Sequence, residues 1–160
     1  MKRNTILLWL NFALGLSLAA TLLAQAQEPL YGTWKVNIAK SKYSPGPEPK
    51  SSIAKWEPFQ DGVKLTVDIV PATGEAQHFE CSGKFDGRDN PVMGSNPDAD
   101  TMAFSKIDAR TYEVVNKKGG KPTLTARIAV AADGKTRVTT QTGKNAKGET
   151  TNIRMFYEKQ

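Results

Sequence analysis

The stretch GVKLTVDIV, residues 62–70, decides the fold class of this chain. Val63, Leu65, Val67 and Ile69 alternate with smaller, polar or charged residues over its whole length. A period of two places the apolar side chains on one face of an extended strand and the others on the opposite face. The stretch therefore predicts a β-strand that buries one of its faces in a core.

The same alternation recurs along most of the chain. It is clear in residues 78–85, 124–130 and 153–157, and turn-forming pairs such as 61–62 and 133–134, both Asp-Gly, separate the runs. Asp-Gly pairs tolerate the positive φ angles of tight hairpin turns. About nine strand candidates follow one another at a spacing of roughly a dozen residues, as in all-β sandwiches and barrels.

The short connections predict how the strands are arranged. They cannot hold the crossovers that parallel strands require, so we expect an antiparallel sheet. Closing that sheet removes its exposed edges. The prediction is an all-β, antiparallel up-and-down barrel of about eight to nine strands, formed by residues 27–160 as one domain. A two-layer sandwich is the alternative architecture.

Two predicted connections are longer than hairpin turns. Residues 38–50 are rich in proline and lysine, and residues 86–100 contain several glycines, prolines and aspartates. Loops of this length are usually functional or disordered, and we expect both to shape the mouth of the barrel. Aspartate oxygens bind calcium, but Asp beside Gly and Pro also forms turns. We favour the turns and predict neither a metal ion nor a cofactor.

The N-terminal segment, residues 1–26, differs from the rest. Lys2 and Arg3 precede a mostly apolar run over residues 6–24, and residues 24–26, Ala-Gln-Ala, match the small-x-small pattern of signal-peptidase sites. This layout is typical of a secretory signal. The run is also close to the ~20 residues of a spanning helix, so an uncleaved anchor is the alternative. We expect the segment to be removed and the protein to be periplasmic or extracellular, without a stable membrane anchor.

The charged residues, the cysteine and the histidine of the chain make two function classes, nucleic-acid binding and catalysis, less favoured. The chain has 22 basic and 16 acidic residues, but no dense basic run with interleaved aromatics, so nucleic acid is not an expected partner. Cys81 is the one cysteine, and we expect it to be buried; pairing between chains is the alternative. His78 is the one histidine, and alternation places it opposite Cys81. An enzyme is therefore the least favoured function class.

The first strand is expected in residues 31–37, YGTWKVN. Trp34 can close one end of a barrel with a large apolar ring, and Gly32 allows neighbouring chain to pass close by. In a closed barrel the last strand pairs with the first. We therefore predict that Arg154, on the last strand, lies over the Trp34 indole as a cation–π partner.

This combination resembles the lipocalins and the wider calycin group, which have Gly-x-Trp on the first strand and a basic residue on the last. The chain also resembles a set of small secreted bacterial lipocalin-like proteins. The matching stretches are GTWKVNIAKSKYSPGP, FDGRDNPVMGSNPDAD, TYEVVNKKGGK and YEK. The resemblance implies a barrel and export, and no reaction.

The interior of the barrel is the predicted site. In small barrels, inward side chains either fill the core or line a cavity for one ligand. We expect a small, largely apolar molecule to bind there; the alternative is an interaction module with a filled core, which acts through surface loops on an envelope component or a protein partner. In residues 136–142, alternation places Thr136, Thr140 and Thr142 on one face, together with Val138, and this face points either inward or outward. The predicted ligand contacts are Met102, Phe104, Tyr112, Thr140 and Met155.

Overall fold

The computed structural model describes residues 28–160, so the predicted signal segment lies outside the described residues. Ten β-strands form one closed barrel in which every neighbouring pair is antiparallel. The strands are β1 (Gly32–Val36), β2 (Ser51–Phe59), β3 (Gly62–Val70), β4 (Gln77–Gly83), β5 (Asp86–Gly94), β6 (Thr101–Lys106), β7 (Thr111–Lys118), β8 (Lys121–Val130), β9 (Thr136–Lys144) and β10 (Thr150–Lys159).

The barrel closes through β1, which pairs with β2 on one side and with β10 on the other. Trp34 lies opposite Lys159, and Val36 lies opposite Tyr157. The antiparallel up-and-down barrel is thereby confirmed, and it is consistent with a calycin-like fold. Among residues 28–160, no helix is both long and apolar enough to cross a membrane.

The strand count is ten rather than eight to nine, and the segment 86–100 accounts for part of the difference. We expected this segment to be a loop, but β5 occupies most of it and pairs with β4 and β6. Nearly all of β5 is exposed or only partly buried. Because neither of its faces is fully buried, its sequence lacks the apolar alternation that identifies the other strands. The expectation of a long loop there was wrong, and the connection that remains is 95–100.

The turns divide the barrel into two ends. The mouth carries the connections 37–50, 71–76, 95–100, 119–120 and 145–149. A short 3₁₀ helix, Ile38–Lys40, begins the first of them. The base carries the remaining connections and the N-terminal stretch 28–31, which precedes β1.

The base is filled by side chains. Trp34 has no exposed surface, and its indole N–H donates to the carbonyl of Leu30 over 2.7 Å. The Tyr112 hydroxyl donates to the Glu28 carboxylate over 2.5 Å, and Lys106 forms an ion pair with the same carboxylate. These contacts fix residues 28–31 beneath the barrel, so the base is closed.

Gly32 is required by its backbone conformation and by its neighbour. Its φ is +128°, a region that L-residues rarely adopt, and a Cβ there would collide with the side chain of Lys159. The glycine thus allows the Lys159 ammonium to reach a position 5.1 Å from the centroid of the Trp34 ring.

The predicted contact between Arg154 and Trp34 was wrong. Arg154 is exposed, and the cations near the indole are Lys159 and Arg137, whose guanidinium carbon is 5.3 Å from the ring centroid. The reason is strand alternation: Tyr157 is buried and belongs to the inward face of β10, so Arg154, three positions before it, points outward. The backbone of Arg154 pairs instead with Lys42.

Candidate ligand-binding site

A cavity of about 410 Å³ lies inside the barrel between the base and the mouth. Side chains from most of the strands line it, together with three of the mouth connections. Pockets that hold small molecules typically measure ~300–1,000 Å³. A barrel packed throughout to native density would have only voids of about the size of a water molecule. The interior is therefore large enough to hold a small organic ligand.

Most of the cavity wall is apolar. Strands β2, β3, β4, β6, β7, β8 and β10 contribute aliphatic, aromatic and thioether side chains that the alternating pattern points inward. These residues are Ala54, Trp56, Leu65, Val67, Ile69, Phe79, Met102, Val114, Leu124, Ala126, Ile128, Ile153 and Met155. Such a wall favours a ligand with a predominantly apolar body.

A polar stripe interrupts this wall on one side. Thr139 and Gln141 on β9, Thr151 on β10 and Ser52 on β2 all line the cavity, and all except Gln141 are buried. The polar stripe uses one face of the threonine-rich strand β9, the face with Thr139 and Gln141. The predicted contact Thr140 belongs to the opposite face of the same strand. Thr140 lies opposite the outward Arg154 on β10 and is not a lining residue. Its assignment as a ligand contact was therefore wrong.

Arg137 lies near the base of the cavity, close to where β9 begins. Its side chain is 3% exposed. Its guanidinium carbon lies 4.1 Å from the centroid of the Tyr157 ring, and its Nη1 donates to Thr139 Oγ1 over 3.2 Å. Burial lowers the pKa of Arg137 to about 10, and the guanidinium stays charged at neutral pH. Within the described residues it forms no ion pair with a carboxylate.

The other predicted ligand contacts divide between the cavity and the base. Met102 and Met155 line the cavity. Phe104 packs its ring edge-on against Trp56, with 5.5 Å between centroids, and Tyr112 packs against Phe85 at 5.4 Å. Phe104 and Tyr112 are buried and lie outside the cavity lining. They belong to the packed core, which leaves the two methionines as the predicted residues placed to contact a ligand.

The mouth is formed by three connections that approach one another. Pro45 and Gly46, Asn96 to Asp98, and the segment 145–149 all contribute to the rim. Asp98 joins them, because its Oδ1 accepts from the backbone N–H of Ala146 over 2.7 Å and its carbonyl accepts from Thr123 Oγ1 over 2.7 Å. The connection 95–100 is thus held across the mouth by defined hydrogen bonds.

The aspartates of residues 86–100 have separate partners. Asp86 accepts from the N–H of Arg88, Asp89 pairs with Lys117 at 2.6 Å, and Asp100 accepts from the N–H of Gly119. Within residues 28–160, no group of three or more acidic, histidine or cysteine side chains is placed to hold a metal ion.

His78 and Cys81 lie on different sides of the barrel wall. His78 is exposed, with its Nδ1 2.7 Å from Asp68 Oδ1 on the outer surface. Cys81 is 1% exposed, and burial raises the pKa of its thiol to about 12. The two side chains therefore cannot act as a nucleophile and base pair.

The sequence pattern missed Arg137, which among residues 28–160 is the one charged side chain deep in the cavity. In the stretch TRVTTQTG, residues 136–143, both faces are polar and Val138 is the one large apolar residue, so the pattern does not decide which face points inward. The register of the β9–β10 hairpin would have identified it. Tyr157 points inward, and its partner across the β9–β10 ladder is Arg137. Directly opposed residues share a face of the sheet.

Comparison of the chain with protein-family models, with curated proteins and with solved structures finds no match.

Proposed function

We propose that this protein is an exported, lipocalin-like barrel that binds a small, largely apolar molecule in its interior. The observation that carries the proposal is the cavity of about 410 Å³, which the base closes and the mouth connections surround. Its apolar wall would remove the body of a ligand from water, at about 25 cal/mol per Å² of apolar surface buried.

The cavity favours this function over an interaction module with a filled core. A barrel of about eight strands is just wide enough for its side chains to fill, and a barrel of ten strands is wider. Here several inward positions carry small residues, among them Ala54, Ala126 and Ser52, and all three line the cavity. Small side chains at these positions leave room that a bound molecule can occupy.

Export is part of the proposal and rests on the sequence of residues 1–26, which has the charged start, apolar run and small-x-small site of a secretory signal. Cys81 is the one cysteine, so the barrel holds without an internal disulfide. Its stability comes from the core at the base and from closure of the sheet.

Native mass spectrometry tests the proposal. The protein is isolated from its own host, without detergent or organic solvent, and its mass is compared with the mass after denaturation. We expect an additional mass of a small organic molecule that is released when the barrel unfolds. A bare polypeptide mass under gentle conditions, in repeated preparations, would count against interior binding.

A further inference from the structure

Resting on the proposed interior site, we infer that the ligand is an amphipathic anion whose carboxylate-type head group binds Arg137 at the floor of the cavity. The apolar body of the ligand would extend from this point toward the mouth.

The guanidinium of Arg137 has unused hydrogen-bonding capacity. A guanidinium carries five N–H donors. Nη1 donates to Thr139, and Nε is buried without a hydrogen-bond partner among the described residues. The rings of Tyr157 and Trp34 lie 4.1 and 5.3 Å from its carbon. They attract the charge but accept no conventional hydrogen bond from it. Because Arg137 lines the cavity, an acceptor that enters it would meet this guanidinium group.

The charge of Arg137 is uncompensated. Buried charges in proteins are normally paired, because removing an ion from water without a partner costs several kcal/mol. Lys159, the second cation near the same indole, is exposed and does not line the cavity. The acidic side chain at the base, Glu28, pairs with Lys106 and not with Arg137. Among the described residues, no acidic side chain balances the charge of Arg137 at the floor of the cavity, and this favours an anion.

The rest of the cavity fits the body of such a ligand. The other lining residues with ionised side chains are Asp98, Lys147 and Glu149, and all three lie on the mouth connections. Between them and Arg137 the wall is apolar except for the polar stripe and for two amide side chains, Gln77 on β4 and Asn116 on β7. From Tyr157 to Thr151 the β10 strand is about 20 Å long at ~3.3 Å per residue, or about 15 Å of depth after allowance for strand tilt. A medium-length hydrocarbon chain can lie along this depth.

A purely structural role is the competing explanation for Arg137. The guanidinium would then serve only to pack between Trp34 and Tyr157, as a cation–π contact inside the base. The two roles differ in what they predict for ligands. A structural arginine gives no preference between a carboxylate and a neutral molecule of the same shape, whereas a head-group site does.

The test compares decanoate with 1-decanol on the wild-type protein by isothermal titration, below the concentrations at which either aggregates. Charge-assisted hydrogen bonds predict that decanoate binds about 10- to 100-fold more tightly. Equal affinity, or tighter binding of 1-decanol, overturns the inference and leaves the proposed function intact. Absence of binding by both probes overturns the proposed function and the inference together.

Two variants test whether Arg137 causes the preference for decanoate over 1-decanol. Arg137→Met should reduce decanoate affinity to that of 1-decanol, while binding of 1-decanol stays within about threefold of the wild type; Arg137→Lys should keep part of the preference. If neither variant folds, the ¹⁵N resonance of Arg137 Nε in the wild type gives the same information. It should shift on addition of decanoate and not on addition of 1-decanol. A decanoate preference that survives in Arg137→Met would place the head group elsewhere.

Discussion

Arg137 and Tyr157 lie directly opposite each other on β9 and β10, and the guanidinium carbon is 4.1 Å from the centroid of the phenol ring. This pair forms part of the floor of the cavity. It places a deeply buried cation where a molecule that enters through the mouth would end. The same position determines how much Arg137 contributes to the stability of the ligand-free protein.

Arg137→Met should change the free energy of unfolding of the ligand-free protein by no more than about 1 kcal/mol. The variant loses two cation–π contacts, each worth ~0.5–2 kcal/mol, but it also removes a buried charge, and replacing buried charges by apolar groups is often neutral or stabilising. Urea unfolding followed by tryptophan fluorescence measures the change. A loss of several kcal/mol would show that the arginine is mainly structural. Trp34→Ala provides the contrast, with an expected loss of ~3–5 kcal/mol.

Filling the cavity should abolish binding without unfolding the barrel. Ala126 lines the cavity from β8, and Ala126→Phe would occupy the space of a ligand. The matched control is Ala129→Phe on the same strand, because Ala129 is exposed. We expect Ala126→Phe to lower the affinity for 1-decanol at least tenfold (~1.4 kcal/mol), and Ala129→Phe to leave it unchanged. Equal effects of the two variants in titrations would contradict an interior site.

Gly32→Ala should destabilise the barrel by about 1–3 kcal/mol, because an alanine is strained at a φ of +128°. Gly46→Ala is the control, since Gly46 has open space around its Cβ position. Thermal unfolding of both variants tests the expectation. A Gly32→Ala protein as stable as the control would show that β1 and β10 tolerate a side chain where the barrel closes.

Cys81 should react slowly with thiol reagents in the folded protein. Its thiol is 1% exposed, and burial raises its pKa to about 12, so little thiolate forms near neutral pH. Labelling with an aromatic disulfide reagent should therefore be at least ~100-fold slower in buffer than in concentrated urea. Rapid labelling of the native protein, or formation of disulfide-linked dimers in air, would mean that the thiol is accessible.

Acid should weaken the contact between the mouth connection 37–50 and β10. The Lys40 ammonium, 3.0 Å away, and the Asn37 amide hold the pKa of Glu158 below its usual value. A pKa that is lower in the folded than in the unfolded state stabilises the protein above the unfolded pKa, and this contribution is lost as the pH falls. The free energy of unfolding should thus decrease below about pH 4.5.

Glu158→Gln should remove this contribution to the acid-dependent loss, and Lys40→Met should reduce it, because Asn37 still donates to Glu158. The double variant should behave as Glu158→Gln does. Asp61, Glu80 and Asp108 also have lowered pKa values, so part of the loss at low pH should remain. A wild-type stability that is constant between neutral pH and about pH 3 would contradict the assignment.

The sequence predicts the barrel well because most strands bury one face. Alternation identified β3 from Val63 to Ile69, and the strong turns separated it from its neighbours. The same logic missed β5, since a strand without a fully buried face has no apolar period. It also left open which face of β9 points inward, and the predicted contact Thr140 used the outward face. There both faces are polar, and what turns Arg137 inward is its pairing with Tyr157 in a distant part of the chain.

Intermolecular NOEs between a bound probe and the cavity wall provide the most direct test of an interior site. With methyl-labelled protein and 1-decanol, we expect NOEs from the alkyl chain to Leu65, Val67 and Ile128, whose side chains line opposite parts of the cavity. NOEs confined to exposed residues such as Ile53, Met93 and Ile107, or no NOEs at saturating probe, would contradict the proposal that the barrel carries its ligand inside.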